Sequence, residues 1–198
     1  MTASSHRWWQ FSHCYASAYA KLKLRIVALK LALSQKTNIT RRVNMDVLNM
    51  KPEVVAKYFL LKAAQEGEPI TQLKLQKLVY LAYVNALLKN KKLFNENIQA
   101  WANGPVVPSL YKLLRKYGYN PIGEDFYKTD INKLLAELKD VQPILDEVFD
   151  EYAPKSAFEL VTITHNDGAW SKAREGLKPT EISANPIKDE YILAAYSH

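Results

Sequence analysis

Ile70-Thr71-Gln72-Leu73-Lys74-Leu75-Gln76-Lys77-Leu78-Val79-Tyr80-Leu81-Ala82-Tyr83-Val84-Asn85-Ala86-Leu87-Leu88 is the stretch on which the fold turns. The Thr71 hydroxyl is suited to accept a hydrogen bond from an orphaned backbone N–H at a helix start. Leu75, Leu78, Val79, Ala82, Tyr83, Ala86 and Leu87 then form a helical stripe, and Tyr80, Leu81, Val84 and Leu88 fill the other faces. From Leu78 to Leu88 the only polar side chains are Asn85 and the two tyrosine hydroxyls. A helix apolar nearly all round is wrapped by its neighbours, so the spacing predicts a central helix over about 71–89. About ten such side chains at roughly 1.5–3 kcal/mol each make it the largest single contributor to a core. Lys74, Lys77 and Lys89 bracket a segment well short of the ~20 residues a bilayer span needs.

Outward from that helix the chain reads as a mainly α, compact domain of six or seven helices, with one short extended piece near 98–101. Lys51-Pro52-Glu53 opens a helix that runs to Gly67, a left-handed stop with Pro69 beyond it. Asn90-Lys91-Lys92 closes the central helix. Asn103-Gly104-Pro105 reads as a turn, because glycine tolerates positive φ and proline fixes the next φ. Pro108 seeds a helix to Gly118, and 118–128 reads as a loop. Thr129 or Asp130 caps the next helix, Pro143 restarts another, and Ser156-Ala157-Phe158-Glu159 is a capping box. A short basic helical stretch follows Trp170, and Asn185-Pro186 begins a C-terminal helix.

Charge divides the 198 residues unevenly. The net +7 is carried by residues 1–45, which hold eight basic residues and no Asp or Glu, giving +8. The remaining nineteen basic residues face all twenty acidic ones, a balance of −1. The domain over 50–198 therefore offers no global electrostatic case for nucleic acid. The leader over 1–45 has four readings: a transit-type leader, a basic membrane-surface or nucleic-acid arm, an accessory helix, or a start assigned upstream of Met45 or Met50. No Ala-x-Ala-like site closely follows its apolar run, which argues against a secretory signal. A single cysteine, Cys14, rules out an intrachain disulfide and fits a reducing, cytoplasmic setting.

Catalytic and metal signatures are thin. His165 and Asp167 form a lone His-x-Asp pair without a nucleophile or further ligands, and His165 reads better as a helix-end residue beside Trp170. Asp146, Glu147, Asp150 and Glu151 have the spacing of a solvated helical face rather than a cage. Gly104 and Gly118 are isolated, so there is no phosphate-cradling loop. Lys89, Lys91 and Lys92 read as the solvated end of a helix. Tyr80, Tyr83, Trp101, Tyr111, Tyr117 and Trp170 read first as core, and where partly exposed as interface anchors. Neither a catalytic residue, a metal ligand nor a cofactor is assigned.

Three segments, in order, resemble one family. Thr71 to Ala82 resembles its Thr-x-x-Lys-Leu-x-Lys-Leu-x-Tyr helix, and Trp101 to Tyr111 its Trp-x-x-Gly-Pro-Val-x-Pro-x-x-Tyr segment. Thr164 to Trp170 resembles its Thr-His-x-x-x-x-Trp element. This is the Panacea domain, the SocA-like antitoxin and prophage-associated (GepA-like) family, and the similarity covers about 50–195. Ala169 and Asn103 depart from the residues common at those places. The resemblance implies a mainly helical antitoxin that binds a toxin encoded by a neighbouring gene; the expectation of no membrane partner comes separately, from the short lysine-bracketed apolar helix. One branch works instead as an adaptor delivering its toxin to the ClpXP protease. It also marks Lys74, Lys77, Tyr80, Trp101, Gly104, Pro105, Tyr111, His165 and Trp170 as signature positions, for shaping the fold or for touching the toxin. The rival classes are a DNA-binding regulator using the basic leader as its arm, and a hydrolase using His165. Oligomeric state is left open.

Overall fold

The computed structural model describes residues 45–196, and everything below lies within the unit Asp46–His198. The leader over 1–44, with its four readings and the arm required by the DNA-binding alternative, lies outside the described residues.

The chain enters as β1 (Asp46–Val47) and continues into α1 (Pro52–Glu66). Lys51 is extended, Pro52 stands in the first turn, and Gly67 ends the helix in the left-handed region at φ 72°. Only proline and the missing Cβ of glycine make those two ends inexpensive. Thr71 then caps α2 (Gln72–Leu88), its hydroxyl accepting from Lys74 N at 3.5 Å. As the composition predicts, α2 is buried on every side, from Leu75 through Leu87 with only Asn85 half-buried.

β2 (Lys91–Lys92) follows, pairing in parallel with β1, so these lysines are not a frayed helix end. Asn90 turns the chain at φ 58°, and the lysines find acidic partners: Lys92 meets Asp189 at 2.7 Å and Lys91 meets Asp46 at 3.5 Å. Lys89 pairs with Glu147. β3 (Gln99–Trp101) and β4 (Gly104–Val106) form an antiparallel hairpin around Ala102–Asn103. The extended piece near 98–101 is therefore present, but Gly104-Pro105 belongs to a strand rather than to the turn. Pro105 is tolerated because it sits opposite Ala100, whose N–H runs outward to Asn185 O at 2.9 Å.

α3 (Pro108–Leu114) runs into a 3₁₀ turn over Arg115–Tyr117. The segment read as a loop holds a single-turn α4 (Glu124–Tyr127), and Ile122 N donates to Ile70 O at 2.9 Å. α5 (Ile131–Leu138) is capped by Asp130, and α6 (Gln142–Tyr152) restarts at Pro143. The acidic face of α6 is less solvated than expected: Asp146 accepts from Tyr58 at 2.5 Å and from Lys62 at 2.7 Å. α7 (Ala157–His165) carries the full Ser156–Glu159 capping box, and α8 (Gly168–Ala173) is capped by Asp167. The last helix, α9 (Asp189–Ala195), starts later than Asn185-Pro186 suggests. Those residues lie extended along β3, with Gln99 bridged to Pro186 and Ile187 N donating to Ile98 O at 2.8 Å. Their backbone groups are thus committed to the hairpin before a helix can form.

The result is mainly α, with nine α-helices among the described residues rather than six or seven, the surplus being short ones. α1, α3, α6, α7 and α9 surround α2, and β2 and β4 close the remaining faces. No described helix is long and apolar enough to cross a membrane.

Candidate functional site

Lys77 stands where α2 turns its flank to the hairpin, and it is fully buried. Its Nζ donates to the carbonyl of Pro105 at 2.9 Å. Burial pushes its amine down to a pKa of about 7, since a low-dielectric surround disfavours the charged form. The stem of Lys77 occupies the space where a side chain on residue 104 would sit: a Cβ there would lie 2.8 Å from Nζ and 2.9 Å from Cε. Gly104 also adopts φ 95°, a second reason for glycine. One residue earlier, Gln76 grips the hairpin exit from both ends of its amide. Its Oε1 accepts from Val107 N at 2.9 Å and its Nε2 donates to Val107 O at 3.4 Å.

Asp167 is the second node. Besides capping α8 through Ala169 N at 2.7 Å, it accepts from Tyr80 Oη at 2.5 Å and from Tyr196 Oη at 3.2 Å. One carboxylate thereby ties α2, α8 and α9 together. Burial, then the Asp167 charge, holds the Tyr80 hydroxyl well above its ordinary range. His165 stacks on Trp170, ring centroids 4.0 Å apart and 8° from parallel. Its Nε2 is buried with no hydrogen-bond partner among the described residues. Burial first, then the charges of Lys77 and Arg174, lowers its pKa, against an opposing backbone hydrogen bond at Ala102. Trp170 Nε1 donates to Trp101 O at 3.0 Å. Arg174 lies against the Trp170 ring at 5.3 Å and donates to the carbonyls of Ala100, Lys178, Pro179 and Glu181.

Beside this braced hairpin lies an open groove of about 560 Å³. Trp101 and Tyr111 form one wall, packed edge to face with centroids 4.8 Å apart. Lys77 contributes to its floor, Arg115 to its rim, and Tyr119 and Ile182 to its lips. Of the signature positions, Lys77, Trp101 and Tyr111 thus line the groove, and Gly104 and Pro105 form the strand behind them. His165 and Trp170 brace the hairpin from beneath, and Tyr80 holds Asp167 at the start of the helix that carries Trp170. Lys74 does not join this set: it is half-buried in the first turn of α2, outside the groove lining. No group of His, Cys, Asp and Glu among the described residues is arranged to hold a metal. Sequence reasoning passed over Gln76, Asp167 as a hub, and Arg174. Gln76 is a polar residue in the apolar half of a central helix, a placement that signals a committed partner. Arg174 sits in a basic stretch where nothing local distinguishes it from Lys172.

The family model described as "Antitoxin SocA-like, Panacea domain" matches residues 75–171, from the first buried turns of α2 to α8. Antitoxin SocA of Caulobacter vibrioides (strain NA1000 / CB15N) is 30% identical over 142 residues, covering 68% of this chain and 76% of that protein. No solved structure matches the chain. The matched span takes in Lys77, Tyr80, the hairpin, Tyr111, His165 and Trp170, while Arg174 and the Ile182 lip lie beyond it, and the chain belongs to the SocA-like antitoxin family with the Panacea domain.

Proposed function

We propose that this antitoxin neutralises its cognate toxin, the product of a neighbouring gene, by direct protein–protein binding, and that the face around the Trp101–Tyr111 groove is the contact surface. The observation that carries the reading is that groove: a preformed wall of two interlocked aromatic rings with an arginine on its rim, the residue types that anchor interfaces. The polar groups behind it are occupied in holding the fold. Lys77 is bonded to Pro105, Tyr80 to Asp167, and Arg174 to four carbonyls. The His165 ring, which a hydrolase would need beside a hydroxyl nucleophile, stacks on Trp170 instead, and its buried nitrogen meets no described hydroxyl. Neutralisation by occupation, without turnover, fits such a surface.

The test is co-expression with the neighbouring gene. The full chain should restore growth and co-purify with that gene's product in a fixed ratio, and absence of both would remove the reading. The adaptor mode makes a different forecast: toxin would disappear only in cells that retain ClpXP. Equal toxin levels with and without the protease support plain sequestration.

A further inference from the structure

We propose that the groove beside Trp101 and Tyr111 receives an extended segment of the partner in which an acidic side chain stands next to an apolar or aromatic one. This rests on the protein-binding reading above and supplies the chemistry of the segment recognised. The charge of the groove is one-sided: among the described residues that line it, Arg115 is the one exposed charge, Lys77 being buried and bonded to Pro105, and none is a carboxylate. Arg115 is exposed and has no ion pair among the described residues. Lys116 beside it is paired with Asp125 and so is not available to a ligand in the same way. The Gln76 amide in the groove lining is committed at both ends to Val107, its Nε2 donor included, and so is not free to take a ligand's acid. A carboxylate arriving at the rim thus meets an unpaired guanidinium, which suits bidentate pairing.

The apolar half of the motif follows from the lips. Tyr119 is 98% exposed and Ile182 96% exposed, more than any other large hydrophobic among the described residues, and both border the same groove. Two such side chains beside an aromatic wall make a concentrated patch rather than scattered surface residues. A trough open to solvent along its lips accommodates a chain that enters and leaves, and its volume holds a few side chains.

The experiment has two arms, both on the full chain. In the first, a display library of random peptides of about twelve residues is selected against the immobilised protein. Selected peptides should be enriched in Asp or Glu beside Trp, Phe or Leu, bind Arg115→Glu about tenfold more weakly, and weaken with added salt. In the second, the neighbouring gene's product is titrated against the wild type, Arg115→Glu, the exposed-lip double variant Tyr119→Ala/Ile182→Ala, and Phe158→Ala, which is 80% exposed outside the groove. The first two variants should bind at least about tenfold more weakly and Phe158→Ala should match wild type. All four substitutions lie on the surface, and circular dichroism checks the folding of the three variants. Selection of no peptide, of peptides without acid, or of peptides indifferent to Arg115→Glu overturns the proposal. So does a self-associated dimer abolished by the same variants. Toxin binding by the wild type that every groove variant retains defeats the groove and leaves the antitoxin reading standing. A wild type that neither binds nor neutralises the toxin defeats the reading itself.

Discussion

Lys77 is the residue at which stability and architecture meet. Its amine has a folded pKa of about 7 against 10.5 for an ordinary lysine, because burial disfavours the charge. With the folded value the lower of the two, the unfolded chain takes up this proton first as pH falls. Stability should therefore decline as pH drops through the interval from about 10.5 to about 7, then become independent of this group below it. The slope is about 1.4 kcal/mol per pH unit. The buried tyrosines have hydroxyls shifted upward and withdraw stability only above about pH 10, so a window near pH 7.5–9 isolates the lysine. Urea titrations across that window should show the slope in the wild type and not in Lys77→Met; equal slopes would mean that the amine titrates as a solvated one. Gly104 is the matching constraint. Gly104→Ala places a methyl 2.8 Å from a buried, bonded Nζ, in a backbone with φ 95°. A loss of about 2–4 kcal/mol is expected. In a Lys77→Ala background the cost should fall, leaving the backbone strain and the remaining approach to Thr164 Oγ1 at 3.1 Å, and a cost unchanged by that background would dissociate the two residues.

At the scale of elements, one carboxylate links three helices. Tyr80→Phe deprives Asp167 of its shorter phenol bond at 2.5 Å, and Tyr196→Phe of the longer one at 3.2 Å. Hydrogen bonds to a charged acceptor contribute about 1.5–3 kcal/mol, so Tyr80→Phe should cost that much stability, read as a lower urea midpoint with m unchanged. Tyr196→Phe should cost less. The double variant should cost more than the two single losses together, because Asp167 is left with Ala169 N alone; strict additivity would mean that the phenols act independently. The elements themselves differed in legibility. The central helix, its Thr71 cap, the Gly67 stop and the Ser156 box were readable because each is set within four residues of sequence. The hairpin was not, since Gly104-Pro105 has turn chemistry and becomes a strand only through contacts with Lys77 and the distant Asn185. The same holds for the delayed start of α9 and for Lys91–Lys92, whose partners are some fifty to a hundred residues away. Of the site, Trp101, Tyr111 and Lys77 were visible as a pattern. Asp167 as a hub and the bare lips at Tyr119 and Ile182 depend on long-range packing that no local signal carries.

For the whole molecule, the informative question is where the folded body begins. Met45 and Met50 are equivalent on composition, yet the structure separates them. Asp46 N donates to Asn90 O and Leu48 N to Lys92 O, both at 2.9 Å, and Asp46 faces Lys91. Met50 is itself buried, its N–H donating to Leu93 O at 2.8 Å. A chain begun at Met45 keeps this edge. One begun at Met50 loses two backbone bonds and sets a charged amino terminus at a buried position. The shorter form should therefore be less stable than the Met45 form by about 1–3 kcal/mol, read as a lower urea midpoint. Groove residues run from Gln72 onward, so both forms should still neutralise the toxin at temperatures where they remain folded. Duplex DNA supplies the complementary measurement. The body is close to neutral, so any affinity for DNA should reside in the full chain, fall steeply with salt, and disappear in the Met45 form. DNA binding that survives the truncation would relocate the regulator function into the helical body and would require a basic surface there. Toxin neutralisation lost in the stable Met45 form would show instead that the groove does not suffice, and that the basic leader takes part in holding the toxin.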